Sequence, residues 1–251
     1  MDLNEYRRQG YRMIDYIANY LENVRHLRVY PDVKPGYMQS LMPDHAPEEG
    51  ESFNEIFKDF ENIVMPGVCH WQSPHMHGYF PSLTSPASLL GDMLSDGLSC
   101  LGFTWAASPA MTELEVIVMD WLAKLVGLPE EFLHSGPGKG GGVIQTSGSE
   151  GTLIALLGAR TRMFQYYKDK YDNVNERELN TRLVGYTSDQ AHSSVEKAGL
   201  IGLVQMRYIE TKDDLSMDGE KLLEAIRKDR ESGLIPFFVG ASLGTTGAGC
   251  F

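Results

Sequence analysis

The feature that most constrains the fold is an alternation of strand-like and helix-like segments over the second half of the chain. Short apolar runs alternate there with longer stretches of helical periodicity. The predicted strands cover 142–145, 182–187, 206–210 and 236–243, and the predicted helices cover 150–167, 193–203 and 218–232. Helices that connect consecutive strands predict an α/β domain, with a mostly parallel sheet and helices on both faces. Ligands of such sheets bind beyond the carboxyl ends of the strands.

The first 84 residues have a different pattern and predict a separate N-terminal segment before a larger domain over 85–251. Apolar side chains recur every three or four residues from Asn4 to Val24, which predicts a helix with one apolar face. A proline-rich arm over 29–47 is expected to be extended. A short helix over 52–64 is expected to begin with a capping box of Ser52 and Glu55. We expect this segment to pack on another surface, such as that of a second copy of the chain.

A further amphipathic helix is predicted over 112–126, after Pro109. Its apolar side chains recur at helical spacing, so we expect them on the buried side of the helix. These side chains are Leu114, Ile117, Val118, Trp121, Leu122 and Leu125.

Charge and composition exclude several classes of function. The chain has 22 Lys and Arg against 34 Asp and Glu, a net charge of −12, and a pI near 5.0. Such a chain is a poor partner for the nucleic-acid backbone. Its N-terminus is not that of a signal peptide, and no apolar run is long enough to span a membrane. Three scattered cysteines are typical of reduced thiols. We therefore expect a cytoplasmic protein that binds neither nucleic acid nor membrane.

Three motifs follow predicted strands and are candidates for chemistry. The turn Ser147-Gly148-Ser149 precedes a helix, where backbone N–H groups and the positive helix end favour a phosphate. The same turn is also an ordinary N-cap sequence. His192 follows the strand over 182–187, and Thr246 follows the last strand. In a parallel sheet these three strand ends lie at one edge.

The segment Cys69–Pro81 contains aromatic side chains, prolines and three histidines without a regular period, which predicts a loop that lines a site. Its histidines, His70, His75 and His77, lie close together in sequence. Apart from Cys69, no carboxylate or cysteine completes a tetrahedral ligand set nearby. We therefore predict no metal site.

Several strings in this order and spacing identify a family. They are HWQSPHMHGYFPS, LGFTWAASPAMTELE, GGGVIQTSGSEGTL, SDQAHSSVEKAGL and GTTG. Together they closely resemble the group II pyridoxal-phosphate-dependent amino-acid decarboxylases of animals. The resemblance runs from Tyr6 to Phe251, and it implies the fold of the PLP-dependent transferases (fold type I) and a homodimer. Among the branches it is most similar to the one that converts L-histidine to histamine and CO₂. A decarboxylase of aromatic amino acids (dopa or 5-hydroxytryptophan) and a noncatalytic, dimer-forming chain remain open alternatives.

The resemblance also implies roles for individual residues. Ser147, Gly148 and Ser149 match the phosphate-binding turn, and Thr246 matches a hydroxyl beside the cofactor. His192 matches the catalytic imidazole that stacks on the pyridine ring and reaches the substrate carboxylate. The aldehyde-synthase branch typically carries asparagine there, so the imidazole favours plain decarboxylation. The implied lining of the substrate pocket, partly donated by the other subunit, is Trp71, Tyr79, Phe80, Pro81, Ser82, Leu101 and Phe103.

The chain departs from the family pattern in three respects. Gly148 replaces a common alanine, and Ser82 replaces a threonine common in dopa decarboxylases. The motifs for the aspartate that pairs with the pyridine nitrogen and for the Schiff-base lysine do not occur in these 251 residues. We therefore expect the chain to represent the N-terminal half of such an enzyme and to be inactive alone.

Overall fold

The computed structural model describes residues 1–79 and 84–251. The chain divides into two compact units, Met1–Leu94 and Ser95–Phe251. Helix α1 spans Leu3–Asn23, α2 spans Phe53–Asp59, and α3 spans Pro86–Leu98. A π-helical turn over Phe60–Val64 continues α2. The predicted helices over 4–24 and 52–64 are thus confirmed.

The predicted capping box at the start of α2 is also confirmed. The Ser52 hydroxyl accepts from the Glu55 backbone N–H at 3.3 Å, and a Glu55 carboxylate oxygen accepts from the Ser52 N–H at 3.0 Å. The hydrogen bond from the Ser52 hydroxyl is the main cause that lowers the pKa of Glu55. The proline-rich arm is irregular, as expected, apart from one 3₁₀ turn over Tyr37–Ser40. That turn begins after Gly36, whose φ of 87° is in the left-handed region that glycine tolerates.

Aromatic contacts hold α1 against α2. The rings of Tyr16 and Phe57 meet edge to face with centroids 5.0 Å apart. The Arg12 guanidinium lies 4.5 Å from the centroid of the Phe57 ring and donates to the Asn54 side chain at 2.6 Å. Tyr16 and Arg12 therefore pack α1 on α2, while Tyr6 and Ile14 of the predicted apolar face are exposed.

The second unit contains the alternating elements. Its helices are α4 (Pro109–Leu125), α5 (Gly148–Lys170), α6 (Glu176–Arg182), α7 (Ser193–Gly202) and α8 (Gly219–Glu231). Its strands are β1 (Leu183–Ser188), β2 (Gln205–Ile209) and β3 (Ile235–Gly240). In the described part of the chain these strands form one parallel sheet in the order β2-β1-β3. The sequence pattern did not indicate α6.

Helices cover both faces of this sheet. Strand side chains alternate between the faces, so each face has apolar side chains on which helices pack. On one face, Leu156 of α5 and Ala198 of α7 pack together with Val204, which directly precedes β2. On the other face, α8 packs on a cluster that contains Val184, Tyr186 and Ile209. The predicted architecture, a parallel sheet between helical layers, is confirmed. Among the described residues, no helix is both long and apolar enough to cross a lipid bilayer.

Two local predictions are wrong. The strand expected over 142–145 does not form, since none of the described strands pairs with it, and Val143 and Ile144 are 58% and 60% exposed. The apolar face of α4 is not buried either, and Trp121 is 64% exposed. In this helix Asp120 and Ala123 are buried instead, because Asp120 binds the loop that follows. Periodicity identified the helix correctly but not the side that the rest of the unit covers.

Candidate active site

The carboxyl ends of the three parallel strands lie at one edge of the sheet, and the candidate site is built there. Helix α7 begins at this edge because it follows β1. Helix α5 runs in the same direction, since its later residues Met163 and Phe164 pack on the cluster of Leu183 and Ile235 at the starts of β1 and β3. The two helices touch at Gly202 of α7, where an added Cβ would lie only 2.8 Å from the Leu156 side chain of α5. Ser147 precedes Leu156 by nine positions and His192 precedes Gly202 by ten. At about 1.5 Å of rise per residue, the two helices therefore begin at similar heights.

The turn Ser147-Gly148-Ser149 forms the N-terminus of α5. Ser147 is the N-cap, and its hydroxyl accepts from the Glu150 backbone N–H at 3.2 Å. The N–H groups of Gly148 and Ser149 lie at the start of the helix, where they have no intrahelical acceptor. No atom lies within 4 Å of the position that a Cβ on Gly148 would occupy. The turn therefore offers backbone donors and open space, which suit a phosphate group.

His192 is the N-cap of α7 and is exposed at the same edge of the sheet. Its Nδ1 accepts from the Ser194 backbone N–H at 3.1 Å and lies 2.9 Å from the Ser194 hydroxyl. Because Nδ1 is an acceptor, the proton of the neutral ring lies on Nε2. The imidazole thus has its position fixed by one nitrogen while the other remains a donor.

Thr246 follows β3, but its neighbour Thr245 holds the local fold. Thr245 is buried, and its hydroxyl accepts from the Cys250 N–H at 3.3 Å. The Gly249 N–H closes the turn on the Thr245 carbonyl at 2.7 Å. Thr246 itself is exposed, so its hydroxyl is the one that this turn presents to solvent.

A buried threonine that the sequence analysis missed joins the strand ends. The Thr187 hydroxyl donates to the Gly240 carbonyl at 2.8 Å, which ties the end of β1 to the end of β3. A Cβ on Gly240 would lie 3.4 Å from Val195, in the first turn of α7. The end of β3 is therefore next to the helix that begins at His192. A threonine at the end of a buried strand carries no sequence signal that separates this role from packing.

The residues expected to line the substrate pocket fall in both units. Trp71 and Tyr79 belong to the first unit, where their rings stack with centroids 5.3 Å apart. Tyr79 is 74% exposed and has a φ of 61°. Leu101 and Phe103 belong to the second unit and are exposed. Phe80, Pro81 and Ser82 lie outside the described residues, and the pocket role of all seven stays a prediction.

One of the histidines in the 69–81 segment is used in packing. His70 is buried, its Nδ1 lies 3.0 Å from the Tyr20 hydroxyl, and its backbone N–H donates to Val29 at 3.0 Å. Burial lowers the pKa of the His70 imidazole. Across residues 1–79 and 84–251, no group of three or more His, Cys, Asp or Glu side chains is arranged to hold a metal ion.

Comparison with known proteins gives one consistent family. The model of the pyridoxal-dependent decarboxylase conserved domain matches residues 35–251. Histidine decarboxylase of Drosophila melanogaster is 61% identical over 252 residues, which are 100% of this chain and 30% of that protein. The Homo sapiens histidine decarboxylase is 58% identical over 100% of this chain and 38% of its own length. Aromatic-L-amino-acid decarboxylase of Cavia porcellus is 51% identical over 98% of this chain and 51% of its own length.

Solved structures agree with these relatives. Tryptophan decarboxylase of Catharanthus roseus, in complex with L-tryptophan, superposes with a TM-score of 0.88 at 38% identity. The 4-hydroxyphenylacetaldehyde synthase of Rhodiola rosea superposes with a TM-score of 0.87 at 40% identity. Each alignment covers 98% of this chain and 52% of the other. The chain thus spans between about a third and a half of the length of these relatives.

Proposed function

The chain belongs to the pyridoxal-dependent decarboxylase family, and from this premise we propose that the whole protein decarboxylates L-histidine to histamine and CO₂. The proposed cofactor is pyridoxal 5′-phosphate. Identities of 61% and 58% to two histidine decarboxylases support the choice of substrate. The observation that carries the proposal is the position of Ser147 and His192, which begin two helices at the same edge of the sheet.

The N-terminus of α5 is the proposed phosphate site. The backbone N–H groups of Gly148 and Ser149 would donate to phosphate oxygens, and the positive end of this 23-residue helix would stabilise their charge. The hydroxyls of Ser149 and Thr246 are further donors at this edge. No basic side chain is needed, because the donors are fixed by the helix itself.

His192 is the proposed catalytic residue. When bound, pyridoxal phosphate supplies the electron sink for the loss of CO₂. His192 would stack on the cofactor ring and direct its Nε2 proton toward the substrate carboxylate. Its Nδ1 bonds to Ser194 hold the ring in one orientation, which fixes the position of the carboxylate relative to the ring.

Replacing Gly148 with proline tests the phosphate site. Proline is well tolerated at the first helical position, where it removes one N–H. Ser147 already has the extended backbone that precedes proline, with φ −153° and ψ 159°. We expect the affinity of Gly148→Pro for pyridoxal phosphate to be lower by about tenfold or more, because one charge-assisted hydrogen bond is lost. Fluorescence titration measures this affinity.

Two controls accompany this variant. Gly148→Ala keeps the N–H and has room for its methyl group, so it should bind pyridoxal phosphate as the original chain does. Pyridoxal, which lacks the phosphate, should bind both variants equally. Equal affinity of Gly148→Pro and Gly148→Ala for pyridoxal phosphate would refute the assigned site.

The substrate is tested by ranking kcat/KM for L-histidine, L-dopa and L-5-hydroxytryptophan on the longest natural chain that carries this sequence. We expect L-histidine to rank first by about tenfold or more, since a pocket that hydrogen-bonds its substrate rejects other side chains strongly. The 51% identity to an aromatic-L-amino-acid decarboxylase supports the alternative, which a higher value for L-dopa would establish. Turnover of none of the three would contradict both assignments.

The proposed assembly is a cytoplasmic homodimer formed through the N-terminal segment of residues 1–84, with residues 85–251 as the cofactor-binding domain. Tyr6, Tyr11 and Ile14 of α1 are exposed by 52%, 65% and 46%. An apolar cavity of about 280 Å³ lies beside this helix, lined by Tyr16, Ile17, Tyr20, Phe60, Met65 and Val68. Apolar surface of this kind favours a protein partner. The free cysteines support a reducing compartment.

A further inference from the structure

Residues 142–146 lead into the proposed phosphate turn. Side chains hydrogen-bond to their backbone, where a neighbouring strand would do so in a parallel sheet. The His134 Nε2 lies 2.8 Å from the Gly142 carbonyl oxygen and 3.1 Å from the Gly142 nitrogen. The Ile144 N–H donates to the Glu115 carboxylate at 3.4 Å. The Glu150 carboxylate accepts from both the N–H and the hydroxyl of Thr146. The bonded residues alternate, which is the spacing of one edge of an extended chain.

The loop that carries His134 is itself held by α4. Asp120 of α4 accepts from the backbone N–H groups of His134 and Ser135 at 2.7 and 3.1 Å, and from the Ser135 hydroxyl at 2.7 Å. The Ser135 hydroxyl is the largest cause that lowers the pKa of Asp120. Because Asp120 is buried, it anchors the loop that carries His134 to the middle of α4.

The glycine run allows the segment to approach this anchor closely. A Cβ on Gly141 would lie 2.4 Å from the His134 ring, and one on Gly142 would lie 2.4 Å from the Met119 methyl group. Gly141 also has a φ of 146°, which other residues rarely adopt. The run of glycines over 140–142 is therefore explained by its contact with α4 and His134.

We propose that His134, Glu115 and Glu150 are positioning residues that hold residues 142–146 and thereby place the N-terminus of α5 for phosphate binding. The proposal rests on the proposed function, since it concerns how that phosphate site is kept in place. None of the three side chains is assigned a contact with cofactor or substrate. They act on the backbone between α4 and α5, and this backbone is not paired with any of the described strands.

A variant of Glu150 distinguishes positioning from simple electrostatics, because the two effects predict opposite changes in the affinity for pyridoxal phosphate. Its carboxylate lies at the same helix end as the proposed phosphate, and like charges repel. Removing the charge should therefore strengthen phosphate binding if electrostatics dominates. If the carboxylate mainly holds Thr146, the variant Glu150→Ala should bind pyridoxal phosphate more weakly. We expect about a fivefold loss, of the order of one capping interaction.

The principal experiment compares His134→Ala, His134→Gln and the unchanged chain by hydrogen exchange and by affinity for pyridoxal phosphate and pyridoxal. We expect His134→Ala to speed amide exchange over residues 141–147 about tenfold, as loss of one hydrogen bond implies. For the same reason, its affinity for pyridoxal phosphate should fall about fivefold. Pyridoxal affinity should not change. Glutamine can both donate and accept, so His134→Gln should restore part of both effects. His45→Ala, at an exposed histidine of the first unit, is the control.

The outcomes separate this inference from the proposed function. Unchanged exchange over 141–147 in His134→Ala would overturn the inference, and so would faster exchange with unchanged pyridoxal phosphate affinity. If His134→Ala does not fold, tighter or equal binding by Glu150→Ala overturns it instead. An unchanged chain that does not prefer pyridoxal phosphate to pyridoxal would refute the phosphate site. The exchange data would then still decide whether these side chains hold the segment.

Discussion

Replacing Asp229 with alanine is expected to lower the free energy of unfolding by about 3 kcal/mol. The Asp229 carboxylate accepts from the Tyr186 hydroxyl at 2.8 Å and from the Arg207 guanidinium at 3.2 and 3.0 Å. These bonds tie α8 to β1 and β2. Tyr186 is fully buried, so the variant leaves its hydroxyl without a partner. The Arg207 side chain is 42% exposed, which keeps the loss below that of a fully buried pair.

Urea denaturation followed by circular dichroism measures this loss. Asp213→Ala, at an exposed aspartate in the same unit, is the matched control and should change stability by less than about 0.5 kcal/mol. Tyr186→Phe removes only the hydroxyl and should cost about 1 kcal/mol. Equal stability of Asp229→Ala and Asp213→Ala would contradict the role of the network.

The same network has a defined pH dependence. Hydrogen bonds from Arg207, and then from Tyr186, lower the pKa of Asp229 in the folded chain. An unfolded aspartate has a pKa near about 3.9. The stabilisation is therefore fully present above that value and is lost as the pH falls toward the folded pKa. The difference between Asp229→Ala and the unchanged chain should shrink below about pH 4.

Replacing His192 with asparagine is expected to lower kcat/KM for decarboxylation about 100-fold or more. Asparagine is a good N-cap residue, so it can accept from the Ser194 N–H and keep α7 in place. It lacks the ring that would stack on the cofactor and the Nε2 proton that would reach the substrate carboxylate. The measurement is formation of histamine from L-histidine by the longest natural chain that carries this sequence.

Two further variants separate catalysis from folding. His192→Ala loses both the ring and the cap, so it should show the same loss of kcat/KM together with a lower thermal midpoint. His26→Ala, at an exposed histidine of the first unit, should retain full activity. If His192→Asn retained full activity, the imidazole would be unnecessary and its assigned role would be wrong.

The second half of the chain was largely predictable because its signals are local. The main helices, the three strands and the serine turn before α5 follow from side-chain periodicity and turn chemistry, which act over a few residues. Ser147 and His192 were found for the same reason, since each directly precedes a helix that follows a strand-like run. His192 lies at the carboxyl edge because it follows β1 in a parallel sheet, whereas the position of Ser147 depends on how α5 packs against α7 and the sheet.

The failures share one physical cause. Whether 142–145 is a strand depends on a hydrogen-bonding neighbour, and which face of α4 is buried depends on what packs against it. Neither is encoded within the segment. Thr187 and His134 were missed likewise, because their partners, Gly240 and Gly142, are specified only once the chain has folded.

The sequence by itself determined the alternating α/β pattern, the family and the positions of the helix caps, since each depends on short-range chemistry or on motifs in order. Only the tertiary structure decided that Asp120 binds the loop of His134 and that His134 contacts Gly142, in the segment before Ser147. It also decided that Asp229 links Tyr186 to Arg207. These contacts join residues between 8 and 43 positions apart. Side chains so distant along the chain come together through packing, which no local pattern records.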